Sequence, residues 1–132
     1  MQNHKYLTDA GLKKEEIMQN LCGDNDSRRK DWKEERKIYG FDNRETWGLD
    51  TTFIQWLYER LMMYKDVASE VVNLKFHTFT IDGKKMTQEE CIDKLIDLLE
   101  GLLHSDGWED DYVSKLKEVC HIWGEILPAM WW

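Results

Sequence analysis

Four sets of residues have types and spacings that bear on chemistry. Asp24, Asp26 and Glu35 occupy the first, third and twelfth positions of a calcium-binding loop. Arg28 and Arg29 stand at the fifth and sixth, where an acid or amide and a glycine belong, so two cations oppose the metal. The zinc donors are Cys22, Cys91, Cys120, His4, His77, His104 and His121. No C-x-x-C or H-x-x-x-H spacing joins them, and Cys120 and His121 leave a helix on different sides. Asp106, Glu109, Asp110 and Asp111 form an acidic cluster that suits a cation, an acid pair or a helix N-terminus. Arg28, Arg29, Lys30, Lys33, Arg36 and Lys37 around Trp32 have the composition of a nucleic-acid contact. Asp31, Glu34 and Glu35 lie three or four positions from these bases, which points instead to a solvated, self-paired helix. There is no G-x-S-x-G, no cysteine in an activating context and no phosphate-cradling glycine loop. The expectation is therefore no enzyme, no metal and no cofactor.

The elements that would position these residues follow from hydrophobic periodicity. Thr8 is placed to cap a helix over 8–22, carrying Leu12, Ile17, Met18 and Leu21 and ended by Gly23. Ser27 is placed to cap a charged helix over 27–39 with Trp32, Ile38 and Tyr39 as anchors, closed by Gly40. Asp50 is placed to cap a central helix whose inward stripe is Phe53, Trp56, Leu57, Leu61, Tyr64, Ala68 and Val71. Trp47 would fold back on its first turn. Residues 74–87 switch to period two around Asp82-Gly83, which predicts a β-hairpin with a type I′ turn. Thr87 and Glu90 spell a capping box before Ile92, Leu95, Ile96, Leu99, Leu102 and Leu103. After a turn at 104–107, a last helix faces inward with Tyr112, Leu116, Val119, Cys120, Trp123, Ile126 and Leu127. Pro128 stops it. The predicted class is mainly α (α+β), a bundle of four to five helices with one small hairpin near 74–87. A single domain over 1–132 is expected, with charged helices in 1–39 and the core in 40–132.

Composition bounds the setting. The 132 residues are 42% hydrophobic and 33% charged, which suits a globular chain. No run of about eighteen apolar residues is present, so no membrane span is expected, and the N-terminus lacks an apolar signal core. The expected location is cytoplasmic, with the three cysteines as packed thiols. The net charge is −8. Residues 88–125 alone carry eleven acids against three bases. That field repels phosphate backbones and attracts basic surfaces, so direct nucleic-acid binding is not expected.

The segment GFDNRETWGLDTTFIQWLYERLMMYKD, residues 40–66, resembles a family of small phage and prophage proteins of Gram-positive bacteria. The shared stretch, (D/E)-T-W-x-L-D followed by W-L-x-x-R-L, is matched by Glu45, Thr46, Trp47, Leu49, Asp50, Trp56, Leu57, Arg60 and Leu61. MTQEECIDKLIDLLEGLL, residues 86–103, is similar to the family's later helix, while Glu59 stands where the family often has proline. The resemblance implies a phage-borne setting and no particular activity. By analogy with other small, acidic, phage-borne proteins that lack catalytic motifs, the expected role is to act against host defence in the manner of anti-CRISPR proteins. The expected partner is a basic host protein, for example a CRISPR-Cas effector, whose nucleic-acid groove would be occupied. The expected contact residues are Asp93, Asp97, Glu100, Asp106, Trp108, Glu109, Asp110, Asp111, Trp131 and Trp132. The alternative is an assembly role, with the apolar tail AMWW, residues 129–132, joining copies of the chain.

Overall fold

A two-residue turn closes the hairpin where the sequence requires it. Asp82 and Gly83 both adopt positive φ, 52° and 79°, which a type I′ turn demands. They join β1 (Thr78–Ile81) to β2 (Lys84–Thr87) in the register Thr78↔Thr87, Phe79↔Met86, Thr80↔Lys85 and Ile81↔Lys84. The computed structural model describes residues 3–132, and the chain divides into two compact units, Met1–Glu59 and Arg60–Trp132. The fold class is α+β, mainly helical, with one antiparallel hairpin. Among the described residues no helix is long and apolar enough to cross a membrane.

In the second unit, Thr87 ends the hairpin and caps α4 (Gln88–Leu103). The Thr87 hydroxyl accepts from the Glu90 N–H, and the Glu90 carboxylate accepts from the Thr87 N–H. That backbone donor holds the Glu90 carboxyl below its usual range. Cys91, Ile92, Leu95, Ile96, Leu99 and Leu102 form the buried face of α4. It packs on α5 (Tyr112–Ile126), whose buried residues are Tyr112, Val119, Ile122 and Ile126. Two strands alone are marginal, and this ribbon rests on both helices, with Ile81 and Met86 buried. Lys94 pairs with Glu118 across the two helices at 3.0 Å. Cys120 and Leu127 are exposed rather than inward, and Ile122 takes the core position. Cys120 follows the buried Val119 by about 100° of helix, which carries it off the core face.

The first unit departs further from its predicted elements. In place of one helix over 8–22 there is α1 (Lys5–Asp9), followed by two single 3-10 turns, Lys14–Glu16 and Met18–Asn20. Thr8 lies inside α1. Gly11, at φ 101°, ends that helix while the Leu12 N–H returns to the Leu7 carbonyl. Leu12, Ile17 and Met18 are nonetheless buried. A distant side chain sets their geometry, since buried Gln55 accepts from the Met18 N–H and donates to the Glu16 carbonyl, both at 3.0 Å.

Helix α2 (Arg29–Tyr39) closes at Gly40, φ 86°, as predicted. Asp26 rather than Ser27 organises its start by accepting from the Arg28 N–H. Of the three expected anchors only Trp32 is buried; Ile38 and Tyr39 are exposed. Helix α3 (Leu49–Ala68) begins with the Thr52 N–H on the Gly48 carbonyl. Asp50 therefore sits in the first turn, where its charge suits the helix dipole, instead of before it. Ile54, Leu57, Tyr58, Leu61 and Ala68 are buried, whereas Trp56 and Val71 are exposed. Trp47 meets Trp32 edge to face at 6.0 Å rather than folding back on α3.

Candidate functional site

Four acidic residues of the second unit, Asp106, Glu109, Asp110 and Asp111, lie in the turn between α4 and α5. Gly107, at φ 82°, lets the chain reverse, and Asp106 accepts from the Trp108 N–H at 2.9 Å. This small turn holds its own backbone and thrusts the Trp108 side chain outward, 89% exposed. Asp111 pairs with Lys115 one turn on, and that ammonium keeps its carboxyl below the usual range. Asp93 binds Lys65, which raises the lysine's pKa. Asp97, Asp106, Glu109 and Asp110 carry no ion pair among the described residues, and all four are exposed. Asp93, Asp97 and Glu100 share one stripe of α4, at spacings of four and three.

Trp131 and Trp132 belong to a different place. Gln88, the first residue of α4, donates to the Ala129 carbonyl, and the Tyr64 hydroxyl donates to the Trp131 carbonyl. The tail backbone is thus held at the start of α4, and its two indoles remain 74% and 59% exposed. The acidic turn lies beyond the other end of that 16-residue helix, roughly 24 Å away at ~1.5 Å per residue. Of the ten residues expected to make contact, Asp106, Trp108, Glu109, Asp110 and Asp111 lie in the turn, Asp93, Asp97 and Glu100 run along α4, and Trp131 and Trp132 lie in the tail.

The first unit contains a concavity that the sequence did not announce. A cleft of about 430 Å³ lies between α2 and residues 19–24, lined by Arg29, Lys33, Arg36, Lys37 and Arg44, with Trp32 in its wall. The self-pairing expected of α2 is absent: among the described residues no ion pair joins two members of that helix. The cause is geometric. At ~100° per residue, Asp31 projects well away from the stripe that carries Arg29, Lys33 and Lys37, and Glu34 lies on its flank. Glu35 instead accepts from the Asn43 N–H at 3.0 Å.

Behind the cleft Asp42 is fully buried between two guanidinium groups. Arg44 Nε and Nη2 donate to it at 3.0 and 2.7 Å, and Arg36 Nε at 2.7 Å. Burial alone would raise the Asp42 carboxyl, but these donors and the Arg44 N–H hold it below the usual range. Arg44 also donates to the Leu21 carbonyl and lies 4.3 Å over the Trp32 ring. On the page of the sequence, the signal for the cleft is the i, i+4, i+8 spacing of Arg29, Lys33 and Lys37.

Among the described residues no three His, Cys, Asp or Glu side chains are arranged to hold a metal ion. Of the calcium-like positions, Asp26 is occupied by Arg28 and Glu35 by Asn43. The cysteines are free; Cys91 is buried, with its thiol pKa pushed up by burial, whereas Cys22 and Cys120 are exposed instead of packed. No family model, no curated protein and no solved structure matches the chain.

Proposed function

We propose that this protein is a protein-binding module that docks its acidic α4–α5 corner on a Lys/Arg-rich partner surface. The observation behind this reading is Trp108, fully presented on a self-held turn among the unpaired carboxylates of Asp106, Glu109 and Asp110. A large indole at the centre of a charged rim is the usual composition of a binding hot spot. The carboxylates would speed encounter with a basic surface, and burial of the indole would slow release. In the phage-borne setting that residues 40–66 imply, the partner is a basic host protein of nucleic-acid defence, a CRISPR-Cas effector being one such. Occupying its groove would inhibit it as an anti-CRISPR protein does.

The test is capture from a host lysate followed by titration of the retained protein. Trp108→Ala is expected to weaken binding by about 2 kcal/mol. Asp106→Lys with Asp110→Lys is expected to slow association and flatten its salt dependence. Binding that is indifferent to salt and to both variants would remove this reading.

A second reading is favoured by the tail, where two adjacent exposed indoles sit on a fixed backbone. Such a pair suits a contact between copies of the chain. Sedimentation should then show an oligomer that Trp131→Ser with Trp132→Ser returns to the monomer. A wild-type chain that sediments as a monomer across the accessible concentrations would exclude assembly through the tail.

A further inference from the structure

The basic cleft of the first unit is not used by the acidic corner and has its own chemistry. Arg29, Lys33 and Lys37 lie within about 80° of the α2 surface, and all three line the cleft. None has an ion-pair partner among the described residues; Arg29 only donates to the Asp24 carbonyl at 3.4 Å. Like charges one helical turn apart repel, so the stripe opposes its own helix until an anion joins it. Arg36 uses Nε on Asp42 and Nη2 on the Gln19 carbonyl, which leaves Nη1 for a ligand. The Asp42 pairings fix the Arg36 and Arg44 guanidinium groups in place, so this part of the wall is ordered before any ligand arrives.

We propose that this cleft binds a small phosphorylated molecule carrying two or more negative charges. Lysine supplies point charges for phosphate and arginine a planar donor fork, and both are present here. A volume of about 430 Å³ falls within the range of small-molecule sites. A nucleic-acid strand fits less well. Trp32 is 2% exposed and already has the Arg28 and Arg44 guanidinium groups 5.0 and 4.3 Å from its ring centroid, so no face is open for a base to stack. The net charge of −8 would also repel a long polyanion. Asp24 is the carboxylate among the lining residues, and it opposes an anion.

Inorganic pyrophosphate, titrated calorimetrically into the full-length chain, is the probe. Saturable binding is expected at up to about 1 mM. Lys33→Glu with Lys37→Glu, both on exposed side chains, should weaken it at least about tenfold, as expected when charge-assisted hydrogen bonds are lost. Asp24→Asn should tighten it. Lys84→Glu with Lys85→Glu, the same charge change placed on β2, should leave it unaltered. Absence of saturable binding, or equal weakening in the two double variants, overturns the proposal. Tighter binding of a single-stranded oligonucleotide that pyrophosphate does not displace also overturns it, in favour of a nucleic-acid site.

Discussion

Asp42→Ala should destabilise the protein by ~3–5 kcal/mol, the cost of removing one partner from a buried ion pair. The carboxylate has no solvent exposure and Arg44 only 8%, so deletion leaves a guanidinium buried without its counterion. Water cannot easily replace the lost acceptor, and three charge-assisted hydrogen bonds disappear together. Asp42 also caps the 3-10 turn Asn43–Thr46 by accepting from the Arg44 N–H, so its loss loosens that turn as well. The pH dependence has a definite sign. The folded carboxyl lies below the ordinary value of 3.8, so its contribution is complete above 3.8 and is lost as the pH falls through the lower folded value. Urea denaturation across the acid range checks both points. The wild type should lose stability below about pH 4, and Asp42→Ala should lose less there while starting lower. A cost under about 1 kcal/mol near neutrality would mean that the network contributes little.

Leu99→Ala is expected to cost a comparable ~2–5 kcal/mol, by a different route. Leu99 is completely buried on the inward face of α4, the helix that packs on α5. Truncation forfeits the transfer free energy of the side chain and leaves a cavity that two regular helices cannot easily collapse. Leu99→Met, which nearly conserves volume, should cost less than about 1.5 kcal/mol. Thermal or urea unfolding of the two variants separates cavity formation from mere change of shape. A loss in Leu99→Ala as small as that in Leu99→Met would show that the surroundings of α4 collapse onto the cavity. Because the acidic corner joins these two helices, the alanine variant should also loosen the turn that presents Trp108.

The elements legible in the sequence are those determined by neighbours. Asp82-Gly83 requires a tight turn, Thr87 with Glu90 starts a helix, and Gly40 ends one, and each of these is local chemistry. The stretch 8–22 was not legible. Its apolar spacing is helical, but Gly11 breaks it, and the backbone of 16–18 is held by Gln55 from thirty-seven residues away. The acidic corner was visible as composition, whereas the separation of Trp131 and Trp132 from it follows from the course of α4 and α5. The basic cleft is not legible because spacing along the chain does not say which carboxylates share the cation stripe. Spacings of three and four between unlike charges suggest pairing, but Asp31 lies off the cation stripe and Glu35 turns to Asn43. Asp42 gave no signal beyond its two-residue separation from Arg44.

The two reachable thiols make each chain a bifunctional monomer in the polymer chemist's sense. Cys22 belongs to one unit and Cys120 to the other, while Cys91 is shielded. Oxidation in air would therefore extend past simple dimers into covalent ladders, a growth unrelated to the tail indoles and abolished by reductant.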